Sequence, residues 1–160
     1  MALTDSGRVL GLDYGMRRIG VALSDSARIV ATPIETIEVQ SDKEGLRRVR
    51  ELVAEHKVGV VVLGHPIHMD GGRGELALAA EGFAARLRAQ VPGLVVELKD
   101  ERLSSQEAER AMRAGDLHAK RRKEMRDQLA AQLILQSWLD AQTPMPPPDE
   151  EDDGWFDEED

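Results

Sequence analysis

The chain of 160 residues is long enough for one domain with a buried core. It contains no cysteine, which excludes disulfides, zinc–thiolate sites and cysteine nucleophiles. The N-terminus lacks the basic start and apolar stretch of a signal peptide, and the most apolar run, residues 58–64, is too short to span a bilayer. These features predict a cytoplasmic protein that does not contact membranes.

The formal net charge of −9 is concentrated at the C-terminal end. Residues 149–160 include nine acidic and no basic side chains, which leaves 21 of each kind in residues 1–148. Prolines and mutually repelling charges predict a disordered acidic tail over residues 143–160, after a domain spanning residues 1–142. Within that domain, residues 102–126 carry eight Lys or Arg against four acids, an excess that suits an anionic partner.

The first half of the chain reads as strands followed by one helix. Ser41 and Glu44 have the spacing of a capping box, which predicts a helix that begins there and ends near Lys57. Residues 58–64 are apolar throughout, which is typical of a strand buried on both faces. Apolar runs before the helix, separated by short gaps, predict three strands joined as antiparallel hairpins, at residues 8–13, 19–24 and 29–36.

The second half alternates between helical periodicity and one further strand. The last predicted helix has an apolar stripe made of Leu129, Leu133, Ile134 and Trp138. Periodicity and turn residues predict these elements in chain order: a helix around residues 76–87, a strand at 94–99, a helix from a capping box at Ser104 to Gly115, a basic loop at 116–123 and a helix at 124–140.

This order of elements predicts an α/β fold. Three antiparallel strands joined to two strands that need helical crossovers make a mixed five-stranded sheet with helices on both faces. Right-handed crossovers bring the later strands beside the first one. The expected architecture is therefore the ribonuclease H-like layout.

Carboxylates follow the strands that this fold places side by side. Asp13 ends the first predicted strand, and Asp100 and Glu101 follow the fifth, where active sites of such sheets gather. Asp127 lies on the apolar stripe of the last helix, so its side chain is expected to face the protein. Carboxylates without nearby cysteine suit Mg²⁺ or Mn²⁺, two of which can catalyse phosphodiester hydrolysis.

Two structural explanations compete with metal binding. Asp13 is also suited to a salt bridge with Arg17 or Arg18. Asp127 is also suited to stabilising the start of a helix through the helix dipole.

Four stretches resemble the signature blocks of the YqgF family, also called RuvX. They are "GLDYGMRRIGVALSD", "VVVLGHPIHMDGG", "DERLSS" and "RRKEMRDQLAAQLILQSWLD", which together follow the chain from about residue 9 to residue 140. The resemblance implies a ribonuclease H-like fold and membership of a Holliday junction resolvase family, also linked to maturation of the 5′ end of 16S ribosomal RNA. It implies that Asp13, Glu101 and Asp127 are metal-binding catalytic acids, with Asp100 in reserve. It also implies that Arg17 or Arg18, together with Arg102, holds phosphate.

Some residues depart from the family pattern or carry less specific signals. His65 and His68 stand where the family more usually has other residues, and they are interpreted as surface or substrate-contact histidines. Asp70 is expected to serve a turn. A basic run either clamps nucleic-acid phosphates or forms a solvated helix start, and it comprises Lys120, Arg121, Arg122 and Lys123.

The favoured function is a metal-dependent endonuclease that acts on structured nucleic acid, with 5′-end maturation of precursor 16S rRNA as the family-level role. The close alternative is Holliday junction resolution, which requires a two-fold homodimer that matches the junction. Two further alternatives are an ATP-binding protein of the actin and sugar-kinase type and a non-catalytic nucleic-acid-binding module. The chain has neither of the common glycine-rich phosphate motifs, which disfavours the ATP-binding alternative.

Overall fold

The computed structural model describes residues 7–66, 74–100 and 119–142, and of residues 119–124 only the backbone. The described residues form five strands and three helices. The strands are Arg8–Tyr14 (β1), Arg18–Ser24 (β2), Ala31–Glu38 (β3), Val58–His65 (β4) and Val95–Asp100 (β5). The helices are Asp42–His56 (α1), Glu75–Gln90 (α2) and Ala119–Gln142 (α3).

The five strands form one mixed sheet in the order β3-β2-β1-β4-β5. Neighbouring strands are antiparallel for β1–β2 and β2–β3, and parallel for β1–β4 and β4–β5. Short turns join the antiparallel strands, whereas α1 and α2 provide the long connections that parallel strands require. The predicted mixed sheet is confirmed.

Helices cover both faces of the sheet. One apolar cluster joins α1 and α2 to the face that carries Leu10, Leu12 and Leu63. A second cluster joins α3 to the face that carries Val9, Ala22 and Val62. We call these the α1/α2 face and the α3 face. Because successive residues of a strand point to opposite faces, this division fixes the direction of the side chains along β1 from Val9 and along β4 from Val60, beyond the register shift at the start of both strands.

The start of α1 is held by the predicted capping box. Ser41 Oγ accepts a hydrogen bond of 3.4 Å from the backbone N–H of Glu44. Glu44 Oε1 accepts one of 2.8 Å from the N–H of Gln40. The helix ends with Lys57 in the left-handed conformation, and the N–H of Lys57 donates to the carbonyl of Val53.

β3 lies two residues later than predicted. Asp25 Oδ1 accepts hydrogen bonds from the N–H groups of Ile29, at 2.7 Å, and Val30, at 3.1 Å. These bonds close a turn that includes Ile29 and Val30. Because both residues are apolar, the sequence pattern assigned them to the strand. The same hydrogen bonds also lower the pKa of Asp25, because they stabilise its ionised form. Ala31 is consequently the first residue of the strand.

The last helix differs from the prediction at its start and in its buried face. It begins at Ala119, so Lys120 to Lys123 lie in the helix and not in a loop. Alanine, lysine and arginine are strong helix formers, and neither glycine nor proline interrupts them here. Leu129 and Leu133 are only half-buried. The residues packed beneath the helix are Ala130, Ala131, Ile134, Leu135, Trp138 and Leu139.

Three glutamine side chains of α3 form hydrogen bonds with the edge strand β3. Gln132 donates to the carbonyl of Ala31 at 2.9 Å, and Gln136 accepts from the N–H of the same residue at 2.9 Å. Gln128 donates to Thr36 Oγ1 at 3.2 Å. Side-chain amides therefore satisfy the backbone groups of Ala31 at the sheet edge, where unpaired groups favour aggregation.

Several sequence predictions concern residues that lie outside the described ranges. They are the helix from Ser104 to Gly115, the turn at Asp70 and the acidic tail over residues 143–160. None of the described helices combines the length and the apolar character that a bilayer-spanning helix needs.

Candidate active site

Asp13 is half-buried near the carboxyl end of β1, on the α3 face of the sheet. Val9 belongs to the α3 cluster and Leu10 and Leu12 to the other cluster, so the alternation along β1 assigns Asp13 to the α3 side. Gly11, two residues earlier on the same face, lies under the helix. A Cβ added to Gly11 would stand 2.6 Å from Leu135 Cβ, so α3 packs directly on the β1 backbone.

Gly20 brings Asp127 next to Asp13. Gly20 on β2 is the direct cross-strand partner of Asp13. A Cβ added to Gly20 would lie 3.1 Å from Asp127 Cα and would overlap the carbonyl group of Asp127. Only glycine permits this approach. Directly paired residues on antiparallel strands are about 5 Å apart at Cα, so Asp127 lies over the immediate neighbour of Asp13.

Arg18 neutralises Asp127. Arg18 Nε donates to Asp127 Oδ2 at 3.0 Å, and the side chains are 34% and 16% exposed. Because Arg18 and Gly20 are two residues apart on β2, both lie on the α3 face. The sequence indicated Arg17 or Arg18 as a possible ion-pair partner of Asp13. In the structure, Arg18 pairs with Asp127 of α3. Asp127 follows Ala119 by about two turns, too far from the N-terminus for an effect of the helix dipole.

Arg17 is exposed in the turn between β1 and β2. The carbonyl of Arg17 accepts a hydrogen bond of 2.9 Å from the N–H of Val39, which ties this turn to the end of β3. An open cleft of about 720 Å³ adjoins the turn, and it is lined by Met16, Arg17, Arg18, Glu38, Val39, Gln40 and Glu44. Arg17 therefore lines a concave surface together with Arg18, the ion-pair partner of Asp127.

Asp100 and His65 belong to the opposite face of the sheet. They are paired residues of β5 and β4, and His65 Nε2 lies 2.7 Å from Glu81 Oε2 of α2. Glu97, three residues before Asp100, is instead on the α3 face, where it accepts a hydrogen bond of 3.0 Å from Trp138 Nε1. Asp100 thus points away from Asp13. The contact of His65 is with α2, which the sequence did not indicate.

Tyr14 also faces away from the carboxylates. Its hydroxyl donates to Asp42 Oδ1 at 2.7 Å, and Arg86 Nη2 donates to Asp42 Oδ2 at 3.0 Å. Burial raises the pKa of Tyr14, and the hydrogen bond to Asp42 raises it further. The phenol therefore stays protonated and joins β1 to α1, and it takes no part in proton transfer at the α3 face.

The structure brings together two of the three acids predicted as catalytic, Asp13 and Asp127. Glu101, Arg102 and His68 lie outside the described residues, as do the side chains of Lys120, Arg121, Arg122 and Lys123. Within the described part of the chain, no three His, Asp or Glu side chains form a group that could hold a metal ion. The described donors that could contribute to a metal site are therefore two carboxylates, whose hard oxygen atoms suit Mg²⁺ or Mn²⁺.

Sequence reasoning overlooked Gly20. The available signal is a glycine inside an otherwise apolar strand, which often marks a close approach of another backbone. The strand pattern does not show which backbone approaches Gly20, because Asp127 is more than 100 residues away from Gly20 in the sequence.

The chain is similar to known proteins over most of its length. The RuvX family profile, described as Holliday junction resolvase, matches residues 7–141. A Myxococcus xanthus protein named "Putative pre-16S rRNA nuclease" is 47% identical over 137 residues, covering 86% of this chain and 90% of the relative. A Geobacillus kaustophilus protein of the same name is 43% identical over 136 residues, covering 84% and 98%.

Solved structures also share the fold. Thermus thermophilus RuvC in complex with a Holliday junction substrate gives a TM-score of 0.52 at 18% identity, over 84% of this chain and 94% of that one. At this level of identity the likeness concerns the fold, and it confirms the predicted ribonuclease H-like architecture.

Proposed function

The chain belongs to the RuvX family of Holliday junction resolvases, and on that premise we propose that it matures the 5′ end of precursor 16S rRNA in the cytoplasm. The family and the names of the curated relatives both denote nucleases, which confirms the prediction of an enzyme of this class. The relatives named for pre-16S rRNA support RNA processing as the role of this chain.

The convergence of Asp13 and Asp127 over Gly20 is the observation that carries the chemical part of the proposal. Two acidic residues from positions far apart in the chain lie over neighbouring positions near the carboxyl end of β1. Such an arrangement is electrostatically costly unless a cation offsets the repulsion. Arg18 offsets the charge of Asp127. Two-metal phosphodiester hydrolysis uses divalent cations to activate a water and to stabilise the departing oxygen, which an arginine alone does not do.

We assign the divalent site to Asp13, Asp127 and Glu101. The oxygen donors of Asp13 and Asp127 fit Mg²⁺ or Mn²⁺, which prefer carboxylates and water. Glu101 is preferred over Asp100, because Asp100 lies on the opposite face of the sheet from Asp13. Divalent cations bound there supply an activated water and neutralise charge on the departing oxygen.

The chain's own cations bind and orient the substrate. Arg17 is exposed beside the site and is proposed to hold a phosphate of the nucleic acid. Arg102 and the basic start of α3, residues 120–123, extend the same function along the backbone of the substrate. Positive side chains of this kind give affinity that falls with salt concentration and does not depend on sequence.

Cleavage of defined substrates tests this function. Purified protein is incubated with a precursor 16S rRNA 5′ fragment and, separately, with a four-way DNA junction, in Mn²⁺, Mg²⁺ or EDTA. We expect divalent-dependent cleavage of the RNA at a defined position and no cleavage in EDTA. Binding of both substrates without any product in either metal would contradict the proposal.

Junction resolution is the second candidate, because the family is described by that activity. A resolvase makes two symmetric cuts, so the active form would be a two-fold homodimer. The same assay separates the candidates: paired, symmetric nicks in the DNA junction by a dimeric species favour resolution, and a single RNA cleavage by a monomer favours rRNA processing.

Removal of Arg18 is expected to strengthen metal binding. In Arg18→Gln, Asp127 loses the cation that competes with a divalent ion for its oxygen atoms. Because partly exposed ion pairs contribute about 0.2–1 kcal/mol, the dissociation constant for Mn²⁺ should fall by about 1.4- to fivefold. Isothermal titration calorimetry of the metal into the purified variant measures this constant.

Arg50→Gln serves as the charge-matched control for that titration. Arg50 is exposed on α1 and donates to Gln90 of α2 at 2.6 Å, away from the carboxylates. Its Mn²⁺ affinity should equal that of the wild type. Weaker Mn²⁺ binding by Arg18→Gln would show instead that Arg18 orients Asp127 for the metal.

A further inference from the structure

Lys99 shares a row of the sheet with Asp13. Asp13 pairs with Gly20 on β2, and the β1–β4 register, continued by one residue, sets Asp13 beside Gly64. Gly64 in turn pairs with Lys99 on β5. All four residues belong to the α3 face, because Val62 and Glu97, two positions earlier on β4 and β5, contact α3 or its cluster.

Glycine occupies the position between Asp13 and Lys99. Adjacent strands are about 4.8 Å apart, so the Cα atoms of Asp13 and Lys99 are separated by about 10 Å across Gly64. Gly64 places no side chain between them. The lysine side chain is a flexible four-carbon stem with a terminal ammonium, which is able to extend across this position toward the carboxylate.

Lys99 is half-buried, and it forms no hydrogen bond or ion pair with any residue of the described ranges. The nearest acid along its own strand on the same face, Glu97, accepts a hydrogen bond from Trp138. Arg18, a second cation on the α3 face, forms an ion pair with Asp127. Within the described ranges, therefore, no carboxylate is paired with the ammonium of Lys99, which suits this group to an anion of the substrate.

We propose that Lys99 binds a non-bridging oxygen of the phosphate that is cleaved at Asp13. This inference rests on the proposed nuclease function and adds a catalytic residue to it. In phosphodiester hydrolysis, negative charge grows on the non-bridging oxygens as the transition state forms. An ammonium held beside them stabilises that state more than the bound substrate, which raises the rate. Lys99 forms no covalent bond and transfers no proton in this role.

The test compares Lys99→Met with Lys57→Met. Methionine keeps the length of the stem and removes the charge. Lys57 is exposed at the opposite end of β4, directly before Val58, so the control removes one positive charge far from Asp13. Single-turnover cleavage of the RNA fragment in Mn²⁺ is measured at saturating protein, and the dissociation constant is measured for the uncleaved RNA in Ca²⁺. Thermal unfolding of each variant verifies that it is folded.

Lys99→Met should cleave about 100-fold more slowly than the wild type, with RNA affinity changed by less than about fivefold. Lys57→Met should retain the wild-type rate. Lys99→Arg keeps a cation at this position and should recover at least about a tenth of the wild-type rate. A folded Lys99→Met variant decides the question, and a folded Lys99→Arg variant that cleaves at less than about a tenth of the wild-type rate would count against the role of the charge.

Two results would overturn the inference in different ways. If the wild type cleaves and Lys99→Met cleaves within threefold of Lys57→Met, the assignment of Lys99 fails and the nuclease function stands. If the wild type cleaves neither the RNA nor the DNA junction, the nuclease function fails, and the role of Lys99 fails with it.

Discussion

Asp13→Asn is expected to reduce single-turnover cleavage by about 1,000-fold or more, equivalent to about 4 kcal/mol of transition-state stabilisation. Asparagine has nearly the same shape as aspartate but carries no charge. It therefore removes the negative charge of one ligand of the proposed divalent site without changing the packing between β1 and α3. Cleavage of the precursor rRNA fragment in Mn²⁺ measures the loss, and Asp140→Asn provides the matched control.

Asp140 is exposed on α3 and accepts a hydrogen bond of 3.0 Å from Gln136. Asparagine can also accept this bond, so the control should cleave at the wild-type rate. Mn²⁺ should raise the thermal midpoint of the wild type and of Asp140→Asn, because a ligand that binds only the folded state stabilises it. Asp13→Asn should show a smaller rise. Equal cleavage by Asp13→Asn and the wild type would remove Asp13 from the catalytic residues.

The strand order was predictable because the pattern is local. Gaps of a few residues between apolar runs allow only antiparallel hairpins for β1 to β3. The Ser41–Glu44 capping box and the fully apolar β4 identify a crossover, whose handedness is nearly invariant. These constraints suffice to place β4 and β5 on the side of β1 opposite to β2. Because β1, β4 and β5 are parallel, Asp13 and the carboxyl end of β5 are expected at the same end of the strands.

Contacts between distant residues were not predictable in the same way. The sequence offered Arg18 as a partner for Asp13, and the structure pairs Arg18 with Asp127, 109 residues away. That choice depends on how α3 is rotated over β2. The rotation is set by Gly11 and Gly20 together with the glutamine contacts to Ala31, which no local pattern reveals.

The sequence alone does not show which face of the sheet each residue of β5 occupies, because this depends on the pairing of β5 with β4. Lys99 and Asp100 are adjacent in sequence, and nothing in the run "ELKDER" states which of them shares a face with Asp13. The pairing of Gly64 with Lys99 and the contact between Glu97 and Trp138 decide it. A motif can therefore indicate candidate acids for a site without indicating which neighbouring charged residue lies on the same face of the sheet.

Gly20→Ala is expected to lower the free energy of unfolding by about 3 kcal/mol and to reduce cleavage severely. The added methyl group would overlap the carbonyl group of Asp127, and both groups are parts of the backbone or fixed to it. Neither can move aside by a side-chain rotation, so α3 must shift away from β2. The shift separates Asp127 from Asp13. Urea unfolding, together with the Mn²⁺ titration, measures both consequences.

Gly82→Ala makes the comparison specific to this crossing. Gly82 lies within α2, and the nearest atom to an added Cβ is the flexible Arg86 Nη2, at 3.8 Å. Because alanine is a better helix former than glycine, Gly82→Ala should raise the free energy of unfolding by about 0.5–1 kcal/mol and leave cleavage unchanged. The same chemical change should thus have opposite signs at the two positions. A Gly20→Ala variant with wild-type stability and Mn²⁺ affinity would mean that α3 does not need this close approach, and the juxtaposition of Asp13 with Asp127 would lose its structural basis.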